Sequence, residues 1–264
     1  MNKLTTFAVM ALLFPLSALQ AAEDSTDLAK KLANPVAALI SVPIQANYDD
    51  GFGADDGSVL RVNVQPVIPI SLNKDWNLIS RTILPLIDQT DVPSSRQGES
   101  GVGDVVQSLF FSPVEASKSG WILGAGPVFL LPTASDDALG ADKWGAGPTG
   151  IALKQTGPWT YGVLVNHIES FAGSGDQDVS ATFLQPFLTY ITGTQTTFAL
   201  NTESTYDWGA QQWSTPINLN VAQLLRVGGQ MLQVGAGARY WAESPRGGAE
   251  GWGLRLNLTL LFPK

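Results

Sequence analysis

The chain has no cysteine among its 264 residues, so disulfides, thiolate catalysis and cysteine-based zinc sites are excluded. Charge is also scarce: Asp, Glu, Lys and Arg make up 14% of the residues, against about a quarter in a typical soluble domain. Of what charge there is, 15 residues are basic and 23 acidic, a net of −8 that argues against nucleic acid as a partner. Histidine occurs once, at His167. Beyond the N-terminus no apolar run approaches the 18 or more residues of a membrane-spanning helix. Yet 44% of the residues are hydrophobic while the mean hydropathy is only +0.09. Apolar and polar residues must therefore be finely interleaved rather than blocked, the pattern of an all-β chain with two-faced strands.

The N-terminus has the layout of a secretory signal: Lys3, an apolar stretch from Leu4 to Leu19, and small residues at Ala21 and Ala22. Residues 1–21 are read as a cleaved leader for export. Residues 22–35 form a short helical segment, with Asp24 or Ser25 as cap, Leu28 and Leu32 four apart, and Pro35 as stop. It is either a lead-in or a small plug. The last stretch shows the strand period most plainly. Trp252, Leu254, Leu256, Leu258, Leu260 and Phe262 are apolar, and Gly253, Arg255, Asn257 and Thr259 alternate with them. Twelve residues at strand rise are enough to cross a bilayer.

The same design repeats from residue 36 to 264. Twelve strands are predicted, at about 36–48, 58–71, 76–87, 100–113, 120–133, 146–155, 158–171, 179–191, 196–206, 213–225, 230–243 and 251–262. Connections after even strands are short. Those after odd strands are mostly longer and acidic, as in 49–57, 88–99 and 135–142. An even number of strands with loops sorted this way predicts a transmembrane antiparallel up-and-down β-barrel. Trp76, Trp121, Trp159, Phe198 and Phe262 gather at one set of strand ends. Tyr48, Phe171, Tyr206, Trp208, Trp213, Tyr240, Trp241 and Trp252 gather at the other, as two interfacial girdles would. Pro66, Pro69, Pro127, Pro186 and Pro216 fall inside strands, where bulges would accommodate them.

Chemical motifs are sparse. Gly145-Ala-Gly-Pro-Thr-Gly150 matches a dinucleotide fingerprint in letters only, since Pro148 interrupts it and a strand-like run follows. His167, Asn166 and Ser170 are neighbours on one strand, whose adjacent side chains point apart, and no G-x-S-x-G elbow exists. The acidic loops lack the spacing of an EF-hand. No catalytic residue, metal site or cofactor is expected. The informative charges lie within strands. With the apolar face outward, Arg61, Asn63, Gln65, Arg81, Asn201, Glu203, Arg239, Arg255 and Asn257 point into the lumen. The four arginines share one wall in the outer half, and Glu203 and Asn201 lie on the far side. They form either an ion-paired filling or an anion-attracting constriction.

Several stretches together resemble a known family. They include Leu32-Ala-Asn-Pro35, Gln65-Pro-Val-Ile-Pro69, Gly101-Val-Gly-Asp104, Phe110-Phe-Ser-Pro113 and, longest, Gly126 to Pro148. This is similar to Gram-negative outer-membrane "transporter" proteins related to the barrels of meta-pathway phenol degradation. The resemblance implies an outer-membrane barrel and supplies neither a substrate nor catalytic residues. The expected function is a passive channel or uptake porin for small solutes, aromatic or anionic ones among the candidates. Alternatives are a closed structural or adhesive barrel and a lipid-active enzyme. Expected partners are outer-membrane lipid, a small-molecule solute and, during biogenesis, the barrel-assembly machinery. The oligomeric state is left open.

Overall fold

Alternating side chains make a strand two-faced, and a closed ring of such strands can put every apolar face outward with no free edge. The computed structural model, which describes residues 26–262, shows this arrangement. In chain order the strands are β1 (Ile40–Phe52), β2 (Gly57–Val64), β3 (Val67–Ser71), β4 (Trp76–Thr90), β5 (Ser100–Val102), β6 (Val105–Pro113) and β7 (Trp121–Leu131). They continue with β8 (Lys143–Thr156), β9 (Trp159–Gly173), β10 (Ser180–Ile191), β11 (Thr196–Thr202), β12 (Ser204–Asp207), β13 (Gln212–Val227), β14 (Gln230–Glu243) and β15 (Gly251–Phe262). β2 with β3, β5 with β6, and β11 with β12 are single staves interrupted once, so the wall has twelve antiparallel staves. It closes by pairing β1 with β15, from Ile40 opposite Phe262 to Tyr48 opposite Leu254.

Each of the three interruptions faces a proline on the neighbouring stave. Gln65 stands opposite Pro43 and is followed by Pro66. The gap at Gly103 and Asp104 faces Pro85, whose carbonyl accepts the Gly103 N–H. The register places Glu203 opposite Pro216 and Thr202 opposite Pro186. Proline has no N–H to give the ladder, so pairing lapses where it sits. Of the prolines expected at irregularities, Pro66, Pro186 and Pro216 adjoin such lapses, whereas Pro69 and Pro127 lie in unbroken ladder, opposite Ile79 and Pro148.

One end of the barrel carries tight connections, such as Gly228-Gly229 between β13 and β14. Both residues have positive φ (56° and 88°), the left-handed geometry that matches a two-residue hairpin to strand twist. The other end carries the longer loops. The outward face is apolar, with Leu188, Leu200, Leu219, Val234, Leu254 and Leu256 all exposed. Exposed Trp76, Trp121, Trp159, Phe198 and Phe262 ring the turn end, and Tyr48, Trp144, Phe171, Trp208, Tyr240 and Trp252 ring the loop end. Trp241 corrects the expected girdle. It shares its face with Arg239 and points inward.

The first stave begins at Ile40 rather than 36. Residues 26–32 are helical, and the chain from there to Leu39 lies within the turn end of the barrel. Leu28, Ala29, Ala37 and Leu39 pack with Ile191, Leu224, Met231 and Leu261, while Val36 packs with Ile79, Phe110, Ile151, Leu153 and Leu164. Each such buried Leu or Val is worth about 1.5–3 kcal/mol relative to exposure. Two side-chain bonds add to this, from Gln155 Nε2 to the Lys30 carbonyl (2.9 Å) and from Gln195 Nε2 to Thr26 Oγ1 (3.4 Å). The secretory leader expected at 1–21 lies outside the described residues.

Candidate functional site

Residues 26–39 and apolar side chains occupy much of the turn half of the interior, while the loop half carries a polar network beside two further apolar clusters, around Val59 with Ile87 and around Val128 with Ile168. Partners directly opposite in a ladder share a face. Asn47 on β1 faces Arg61 on β2 and Arg255 on β15, and Arg255 faces Gly237 on β14. Gln45 likewise faces Asn63 and Asn257. These rows place the lumen face.

Glu203 is the hub. Its two carboxylate oxygens accept from Nη1 and Nη2 of Arg255, each at 2.8 Å, and Oε2 lies 3.5 Å from Nη1 of Arg239. The paired fork and carboxylate give directional, charge-assisted bonds. Arg255 also donates through Nε to Asn47 Oδ1 at 2.6 Å, and its side chain is 1% exposed. Arg239 donates through Nε to Asp49 Oδ1 at 3.0 Å and lies 5.1 Å from the Trp241 ring centroid. The indole Nε1 of Trp241 donates to the same Asp49 oxygen at 2.9 Å. Arg81 donates to Gln65 Oε1 at 2.9 Å, and Asn218 Nδ2 to Asn201 Oδ1 at 2.8 Å. Asn257 Nδ2 donates to Asn220 Oδ1 at 3.3 Å.

Glycines make room for this network. A Cβ on Gly253 would stand 2.3 Å from Asp49 Oδ1, and one on Gly237 would stand 2.2 Å from Asn220 Oδ1. Only the bare backbone lets those two side chains lie flat on the wall.

The ladders and side-chain bonds place Arg61, Asn63, Gln65, Arg81, Asn201, Glu203, Arg239, Arg255 and Asn257 on the same face as Asn47. Two details differ from the sequence expectation. Glu203 is not separated from the arginines: it crosses the lumen to bind Arg255 and approach Arg239. Arg81 lies in the half of its strand nearer the turns, five residues past Trp76, and not in the outer half. Sequence reasoning missed Asp49 and Trp241, assigned to a loop and a girdle, and also Asn47, Asn218 and Asn220. The alternation Asn218-Leu-Asn220 was a signal for the last two. Asp104 accepts from the backbone N–H groups of Thr133, Ala134 and Ala141 and so folds the loop after β7.

Within the polar band four guanidiniums face two carboxylates, Asp49 and Glu203, a formal surplus of two positive charges. Asp49, Arg61, Asn63, Glu203, Arg239 and Trp241 are among the residues lining a cavity of about 330 Å³ at the loop end. A second cavity, of about 130 Å³, lies between residues 31–39 and the wall of β1, β14 and β15. The two share no lining residue, and the cluster around Val36 occupies the turn half of the lumen. His167 is elsewhere, with Nδ1 2.9 Å from Thr182 Oγ1 near the exposed Trp208. Ser170 Oγ accepts from the Val179 N–H at 2.9 Å and donates to Asp178 Oδ1 at 3.5 Å.

No protein-family model matches the chain, and no curated protein matches it. Solved structures do match. An outer-membrane channel from Pseudomonas putida F1 superposes with a TM-score of 0.66 at 15% identity, over 85% of this chain and 96% of that one. The outer-membrane phospholipase of Salmonella typhi gives a TM-score of 0.47 at 11% identity, over 89% and 98%. OprB of Pseudomonas putida gives 0.33 at 10%, over 88% and 95%. The first likeness shows a shared barrel fold. The other two scores are too low to support an argument.

Proposed function

We propose that the protein is an outer-membrane channel that admits small solutes passively, with its N-terminal segment as the constriction. One observation carries this. A cavity at the loop end is lined by Asp49, Glu203, Arg61 and Arg239, and the turn half of the lumen beyond it is occupied by residues 26–39, a tethered segment, rather than by wall side chains alone. The apolar outward belt and its two aromatic girdles favour residence in a bilayer. The motif resemblance to meta-pathway barrels and the channel-like fold neighbour point the same way. Lumen charge of one sign tunes which solutes enter.

The test is planar-bilayer conductance of refolded protein, full length and lacking residues 26–39. A small conductance that rises on deletion is expected, with heat-shifted mobility on unheated gels confirming that both forms are folded. Absence of conductance in both folded forms would overturn the reading in favour of a closed structural barrel.

A further inference from the structure

The cavity at the loop end is more selective than a generic aqueous vestibule. Its two carboxylates are already engaged. Asp49 is held by Arg239 and Trp241, and Glu203 by Arg255 and Arg239. Arg61 is different. It lines the same cavity and is exposed to it, and among the described residues it makes no hydrogen bond and no ion pair. Asp49, the carboxylate whose charge it feels, spends its hydrogen bonds on other partners. The five donors of its guanidinium are thus unspent, beside a cavity whose low-dielectric walls focus the field.

The rest of the lining is apolar in large part. Phe52, Val59, Phe183, Pro216, Trp241 and Pro245 contribute to it. A purely hydrated anion would gain nothing from those rings, and a purely apolar solute would leave the guanidinium unanswered. About 330 Å³ is the volume of roughly eleven waters and lies at the small end of ligand pockets. It suits one ring or a short chain.

We infer that the cavity is a binding site for small organic monocarboxylates, with Arg61 taking the carboxylate and the Phe52, Phe183 and Trp241 side chains the apolar body. The inference deepens the channel reading by naming a solute class, and it rests on that reading only for transport.

Calorimetric titration of the folded, full-length protein in detergent micelles with benzoate, acetate and benzamide tests it. Acetate has the charge without the ring, and benzamide the ring without the charge. Benzoate is expected to bind at least about tenfold more tightly than either. Arg61→Gln should lose about tenfold for benzoate, as expected for one charge-assisted contact. Arg61→Lys should retain most of the binding, and Arg226→Gln, at the turn end, all of it. The gel mobility shift shows that each variant is folded. Equal binding of benzoate and benzamide, equal binding of benzoate and acetate, or an Arg61→Gln protein indistinguishable from wild type would each overturn the site. Conductance separates the two claims. Benzoate binding without any conductance keeps the site and removes the channel, whereas conductance without benzoate binding does the reverse.

Discussion

Glu203 is the residue on which the interior depends most. Replacing it with Gln keeps the volume and removes the charge that Arg255, at 1% exposure, relies on. Breaking a buried pair by removing one partner costs roughly 3–5 kcal/mol. Since the Glu203 side chain is itself 21% exposed, the loss should fall near the lower figure, about 3 kcal/mol, read from urea unfolding in micelles. The same change raises the cationic surplus of the band from two to three, so anion preference in conductance should sharpen. Residue parity within a strand is a local property, which is why Arg239, Arg255 and Asn257 were legible as inward. Asp49 and Trp241 were not. Whether a residue near a strand end belongs to the wall or to a loop depends on how far its neighbours extend past it. That depends on registers between β1, β14 and β15, set by residues some two hundred positions away.

At the level of the element, β15 offers a controlled comparison. Leu256 is 61% exposed on the outward face, and its neighbour Asn257 points inward to Asn220. An arginine on the lipid face near midplane costs about 2–4 kcal/mol, whereas lumen positions tolerate charge. Leu256→Arg should therefore destabilise the folded barrel by that amount, and Asn257→Arg by well under half of it, in the same unfolding assay. Equal losses would show that the faces are misassigned. The strands themselves were readable because their period is 2 and both faces carry a distinct chemistry. Their interruptions were not. The lapse at Glu203 is caused by Pro216 and Pro186 on the flanking staves, and a proline's effect on a neighbouring stave shows only once the pairing is known.

The whole molecule exposes an apolar belt that water cannot satisfy, with Leu, Val and aromatic side chains around its circumference. The protein should fold only with detergent or lipid present, be β-rich by circular dichroism, and migrate differently on gels with and without heating. A monodisperse, folded protein in plain buffer would contradict the barrel's placement in a bilayer. Barrel, strand count and loop sorting were legible because they repeat twelve times. The seating of residues 26–39 was not, because Leu28, Val36 and Leu39 look like any short apolar run, and their partners come from many different strands.

That seating also has a bearing on time. The wall is sealed by its first and last strands, β1 and β15, and residues 26–39 immediately precede the first. They touch Ile79 and Phe110 early in the chain, Ile151 and Leu164 midway, and Leu224, Met231 and Leu261 near its end. A segment with contacts that far apart in sequence cannot complete them until almost all of the chain is present, and pairings this distant form slowly. It must either be gathered up as the staves are laid down around it, serving as a mandrel, or thread in through the turn end after the seam has closed. In the first case the order of events is fixed by the chain itself, and the stopper is the first part in place.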